Sequence, residues 1–127
     1  MTQWLHLADR HWPRLVNGSK TDTIRLNEPS VAPGFLVYVG SPTESERGVV
    51  YVTDVHHIPL RDVLRYERGP EITPDEATLL SDLRAHYPEI ALDTEIEFVQ
   101  HLSLPDTLAE YPDAVAEILA TFRGPES

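Results

Sequence analysis

Short apolar runs alternate with polar turns along this chain, and the period of each run names its element. Gln3 to Leu7 alternates as a strand does, with Trp4 and His6 on one face and Leu5 and Leu7 on the other. Asp9 stands where a helix cap belongs, and the helix predicted over about Arg10 to Asn17 carries Trp12, Leu15 and Val16 as its apolar stripe. Pro13 falls near the first turn, where its missing N–H is tolerated, and Gly18 is a natural stop. Lys20 to Leu26 reads as a strand with Thr21, Thr23 and Arg25 on one face and Asp22, Ile24 and Leu26 on the other. Asn27 to Gly34, with Pro29 and Pro33, reads as a turn. An apolar strand over Phe35 to Val39 follows, then a polar loop from Gly40 to Arg47, then a strand over Gly48 to Val55.

The second half predicts a short helix over Arg61 to Tyr66. Thr73-Pro74-Asp75-Glu76 is a helix start, with Thr as cap, Pro at the first helical position and Glu at the capping-box position. Leu79, Leu80 and Leu83 give that helix its buried face, and it should end near His86-Tyr87-Pro88. Asp93 to Leu102 reads as a strand with Ile96 and Phe98 inward. Pro105 to Phe122 reads as helical, interrupted at Tyr111-Pro112, with Leu108, Val115, Ile118, Leu119 and Phe122 apolar and Gly124 closing it. The order β-α-β-β-β-α-β-α predicts an α+β fold, a small mixed β-barrel with helices packed at its rim. A single domain over 1–127 is expected, with the barrel over about 3–102 and a helical extension over about 103–124.

Composition narrows the chemistry. The chain of 127 residues has no cysteine, which excludes disulfides, thiolate metal sites and a cysteine nucleophile. The start, Met1-Thr2-Gln3-Trp4-Leu5, lacks the basic region and apolar run of a signal peptide, and no window approaches the ~20 apolar residues that span a bilayer. A cytoplasmic protein without a membrane partner is the expectation. The net charge of −11 is uneven. Acidic and basic residues balance over 1–70, whereas 71–127 sets thirteen acidic residues against Arg84 and Arg123 alone. Phosphate is repelled from that side, so a polyanion would have to meet Arg10, Arg14, Lys20 and Arg25.

Against nine arginines the chain has one lysine, Lys20, inside Gly18-Ser19-Lys20-Thr21-Asp22-Thr23-Ile24-Arg25. A desolvated lysine can lose its proton and act as base or nucleophile, which arginine cannot. A second cation nearby favours the neutral amine, and a neutral amine can take a proton from Thr23 Oγ. Arg25 suits a carboxylate or an oxygen that develops charge. The plainer alternative is an ordinary strand entry, with Lys20 solvated and the threonines present for β-propensity. Six histidines (His6, His11, His56, His57, His86 and His101) show no His-x-Glu or His-x3-His spacing, so no metal and no other cofactor is expected.

The stretch from Trp12 to Arg25, with its Gly18-x-Lys20-Thr21-x-Thr23-x-Arg25 core, resembles the signature of ASCH domains, which are PUA-like β-barrels. The Pro33-Gly34 turn and the strand after it are similar to the family's glycine–acid–hydrophobic strand, although Phe35 stands where the acid is usual. Tyr87-Pro88 and Thr94 to Val99 are similar to the Tyr-Pro and last strand of small bacterial members, so the resemblance covers roughly residues 3–102. It implies an amidohydrolase that removes the acyl group from N4-acetylcytidine or related N4-acylated cytosine nucleosides. It further implies a Lys-Thr-Glu constellation of Lys20, Thr23 and an acid placed before the helix that precedes Tyr87-Pro88. Glu71 takes that place with a one-residue gap, and Glu67 and Glu76 are its rivals. Arg25 would bind substrate, and an aromatic ring among Trp4, Trp12 and Tyr38 would stack on the base, though each suits a core better than a platform. A small-molecule nucleoside is the expected partner. The alternative is an RNA-binding or RNA-processing module without amidase activity, which the acidity of 71–127 disfavours. Oligomeric state is not legible.

Overall fold

Alternation and capping produce the expected elements with a few shifts. The computed structural model describes residues 2–65 and 76–124. Among them run β1 (Gln3–Ala8), α1 (Trp12–Asn17), β2 (Asp22–Arg25), β3 (Gly34–Ser41), β4 (Arg47–Pro59), α2 (Glu76–Arg84), β5 (Glu95–His101), α3 (Leu104–Glu110) and α4 (Pro112–Thr121). The strands form one sheet in the order β1-β3-β4-β5-β2. β1 pairs with β3 in parallel, Gln3 opposite Leu36 and Ala8 opposite Ser41. β3 and β4 pair antiparallel, Gly34 opposite Val52 and Val39 opposite Arg47.

The chain divides into two compact units, and β2, β4 and β5 each pass from one into the other. The first comprises 1–23, 31–55 and 99–127. Its core joins Leu5 and Leu7 of β1, Leu15 of α1, Leu36 and Tyr38 of β3, Val50 and Val52 of β4, and Val99 of β5. The other face of β3 supplies Val37 and Val39 to a second cluster, which Val115 of α4 covers. Strand β3 is therefore apolar on both faces because both are covered. The second unit comprises Ile24–Ser30 and His56–Phe98, and its described core is built on Leu60, Val63, Leu79, Ile90, Ile96 and Phe98.

Several boundaries differ from the pattern reading. Asp9 does not cap α1. A 3-10 turn over Asp9–His11 precedes the helix, Ala8 stands at the cap of that turn and His11 at the cap of α1, and the Asp9 carboxylate accepts from the Thr43 hydroxyl at 3.4–3.5 Å. With the first turn wound tighter, the stripe rotates: Leu15 is buried, Trp12 half-buried and Val16 exposed. β2 begins at Asp22, because Lys20 still belongs to the turn that leaves α1. β4 is longer than expected and runs on to Pro59. The segment predicted as a helix from Arg61 is a 3-10 helix over Leu60–Arg65. The predicted cap at Thr73-Pro74-Asp75 lies outside the described residues.

The C-terminal helix is broken where Tyr111-Pro112 predicts. The Ser103 hydroxyl caps α3 by accepting from the Asp106 N–H at 3.1 Å, and Pro112 opens α4. Leu108 and Leu119, assigned to the apolar stripe, are instead exposed, since the break re-aims each helix about its own axis. In urea unfolding, Phe98→Ala should cost about 3–5 kcal/mol. Leu108→Ala should stay within about 0.5 kcal/mol of the parent. Equal losses would contradict this partition between core and surface.

Candidate active site

The lysine is positioned by the way α1 ends. Gly18 adopts a left-handed φ of +88° and donates to the Leu15 carbonyl at 3.3 Å, closing the helix. Ser19 N–H is taken by the Asn17 side chain at 2.8 Å, and Lys20 N–H by the Arg14 carbonyl at 3.1 Å. The chain reverses within three residues and delivers the Lys20 side chain inward, leaving it 9% exposed. Its Nζ donates to the Asp22 backbone carbonyl at 2.7 Å and stands 5.8 Å from the centroid of the Tyr38 ring. A carbonyl and a ring face stabilise an ammonium less than water does. Burial lowers the Lys20 pKa from 10.5 to about 8, with Asp22 opposing the shift and the Arg14 charge adding to it. Asp22 moves upward for the same reason, burial, with Lys20 and Arg14 opposing.

Beneath the amine lies a buried polar chain. Nδ1 of His101 donates to the Leu102 carbonyl at 2.6 Å, which leaves Nε2 as acceptor for the Tyr38 hydroxyl at 2.9 Å. Burial lowers the His101 pKa to about 4, the Leu102 contact opposing and Lys20 assisting. His101 is therefore neutral at physiological pH and adds no second charge beneath the lysine.

The second unit holds a different cluster around a pocket of about 150 Å³ whose walls include Arg25, Glu28, Ser30, His57, Glu95 and Glu97. Glu97 is 8% exposed. Its Oε2 accepts from the Ser30 hydroxyl and lies 3.2 Å from His57 Nε2, while its Oε1 lies 3.7 Å from Arg25 Nε. Arg25 also faces Glu28 at 3.7 Å and donates to the Pro29 carbonyl at 3.2 Å. Its Nε is buried with no hydrogen-bond partner among the described residues.

The sequence matches no family model and no curated protein. Among solved structures it is similar to the ASCH protein from Zymomonas mobilis, at 21% identity and a TM-score of 0.53, over 98% of this chain and 82% of that one. A tyrosine-to-phenylalanine mutant of the Zymomonas mobilis protein aligns with the same identity and TM-score, over 98% of this chain and 85% of that one. This chain has the ASCH fold. The α+β, PUA-like architecture expected from the Gly18–Arg25 signature is thus the one found.

On that ASCH fold the predicted residues are distributed as follows. Lys20 is buried, and Thr23 is half-buried in β2, one residue beyond the Asp22 carbonyl. Among the described residues no hydrogen bond joins them, since the amine is held by the Asp22 carbonyl. Arg25 belongs to the Glu97 cluster. Tyr38, 1% exposed, lies within the first core beneath Lys20, and Trp12 packs half-buried against that core. Trp4 lies edge-on to His6 at 4.9 Å and packs on the cluster around Val37. Glu71 and Glu67 lie outside the described residues, and Glu76 begins α2. No three His, Asp or Glu side chains among the described residues converge to hold a metal ion.

Pattern reading missed His101, Ser30, His57 and Glu97. Placing Ile96 and Phe98 inward put Glu97 on the opposite, expectedly solvated face, yet β5 is buried on both faces from Ile96 to Val99.

The two shifted bases each contribute a limb to the pH dependence of stability. Between pH 8 and 10.5 the unfolded chain holds a proton on Lys20 that the folded chain has lost, so stability should rise with pH across that window. The full effect is roughly 3 kcal/mol, and Lys20→Met should abolish the slope. For His101, protonation of the unfolded state should erode stability as pH falls from 6.5 towards 4, by a similar amount. Chemical denaturation at a series of pH values measures both limbs, and a flat profile in the parent protein would contradict the burial of these groups.

Proposed function

We propose that this protein is an amidohydrolase that removes the acyl group from N4-acetylcytidine or a related N4-acylated cytosine nucleoside. The observation that carries the reading is the single lysine of the chain, buried at the end of α1 with its pKa lowered to about 8. A structural lysine gains nothing from such a place, whereas a base requires a pKa near the working pH. The ASCH fold supports the reading, because the signature that resembles the N4-acetylcytidine amidohydrolases lies on the elements that build this site.

The neutral amine of Lys20 accepts a proton from the Thr23 hydroxyl or from a water. The freed oxygen attacks the acyl carbonyl carbon, and the carbonyl electrons move to oxygen to give a tetrahedral oxyanion. Backbone N–H groups near the Gly18–Thr21 bend steady that charge. Collapse breaks the carbon–N4 bond, and the proton held by Lys20 passes to the leaving cytosine amine. Where Thr23 is the nucleophile, water then hydrolyses the acyl-threonine ester by the same proton relay. Glu71 is assigned to orient Lys20 or shuttle the proton, and Arg25 to bind substrate. The step requires the Thr23 hydroxyl to reach the amine, which is hydrogen-bonded to the Asp22 carbonyl.

The change of ultraviolet absorbance as the amide becomes an amine measures turnover. N4-acetylcytidine should be hydrolysed, and Lys20→Arg should lower kcat/KM by about a hundredfold or more while the fold survives. Since the base form grows as pH rises, kcat/KM should climb to about pH 8 and then level off. Full activity in Lys20→Arg, or retention of short RNA without hydrolysis by the parent protein, would overturn the assignment.

A further inference from the structure

The Arg25–Glu97 cluster has a chemistry of its own. Both ion pairs of Arg25 stand at 3.7 Å, outside hydrogen-bond range, and Nε has no partner among the described residues. The guanidinium is held by charge and by the Pro29 carbonyl, and Nε, the donor nearest Glu97, makes no hydrogen bond among the described residues. Glu97 is held rigidly, because the Ser30 hydroxyl and His57 both engage Oε2 and turn Oε1 towards Arg25. A buried acceptor fixed beside a buried donor complements a ligand edge that offers an N–H beside a lone pair. Amide and amidine edges have that pattern, and so do the pairing edges of nucleobases. At about 150 Å³ the pocket suits one small ring.

Charge narrows the ligand further. The pocket sets Arg25 against Glu28, Glu95 and Glu97, an excess of carboxylate. A phosphate carried by the ligand meets repulsion there, whereas an uncharged heterocycle does not.

We propose that this pocket binds the pyrimidine base of a free, unphosphorylated nucleoside, with Glu97 accepting from its amino group and Arg25 donating to its ring nitrogen or carbonyl. The choice of cytosine rests on the amidohydrolase reading above, but the pocket and its preference for an uncharged ligand do not.

Titration calorimetry with cytidine and cytidine 5′-monophosphate tests it. Cytidine should bind, and the monophosphate should bind about tenfold more weakly or worse at low salt, a gap that narrows as salt screens the carboxylates. Glu97→Gln should weaken cytidine about tenfold or more. Because that change also disturbs a buried pair, Ser30→Ala, at an exposed position, serves as the second variant. It frees Glu97 to rotate and should weaken cytidine severalfold while circular dichroism is unchanged. Equal or tighter binding of the monophosphate overturns the preference, and cytidine affinity unchanged in Ser30→Ala and in folded Glu97→Gln overturns the site. Hydrolysis of N4-acetylcytidine with a KM indifferent to both variants would leave the enzyme standing and remove the pocket. Variant-sensitive cytidine binding without hydrolysis would do the reverse.

Discussion

Desolvation of the Lys20 ammonium is the constraint around which the first unit is arranged. An ammonium prefers water, and a site that removes water must offer other oxygens or accept that the proton leaves more readily. Here, among the described residues, the Asp22 carbonyl and the Tyr38 ring face stand in for the hydration shell. The rest of the local structure keeps this arrangement from relaxing. Gly18 turns the chain, Asn17 and Arg14 take up the N–H groups of Ser19 and Lys20, and Leu15 anchors α1 in the core. His101 contributes by what it lacks. Its proton is committed to the Leu102 carbonyl, so the ring accepts from Tyr38 and stays neutral under the amine.

The two polar clusters use opposite strategies. Around Lys20 burial outweighs the neighbouring Asp22 charge, and the proton becomes labile. Around Glu97 the charges face one another, and the Ser30 hydroxyl and His57 fix the direction of the carboxylate. The first arrangement suits proton transfer and the second suits recognition. Both are fed by one short strand, since β2 carries Thr23 and, two residues on, Arg25. The acidity of the chain enters at the second cluster, through Glu95 and Glu97 of β5.

Local signals made most of the fold legible. Alternation located β1, a continuous apolar run located β3, Gly18 ended α1, and Pro112 broke the last helix, because each depends on residues within a few positions of one another. Asp9 misled because a cap needs a particular backbone entry, and the 3-10 turn at Asp9–His11 denies it. The exposure of Val16, Leu108 and Leu119 was hidden because a helix shows its period in sequence but not its partner. In the candidate site, Lys20 stood out through the type of residue it is, whereas its burial depends on Tyr38 and His101 from distant strands. Glu97 was missed for the related reason that burial of both faces of β5 is a tertiary fact. The ASCH signature carried information that periodicity did not, since it joined the Gly18–Arg25 segment to a known barrel.

The parallel pairing of β1 with β3 bears on when the lysine becomes buried. A parallel pair cannot close through a hairpin, so α1 and β2 both lie inside the crossover, and Gln3 meets Leu36 only after that whole segment has been gathered in. Tyr38, which floors the amine, arrives with the returning strand, and His101 comes from later still in the chain. During assembly Lys20 is therefore hydrated and fully basic, and its acidity shifts only as the last non-local contacts lock. A partly folded chain would carry every residue of the signature without the lowered pKa of its lysine.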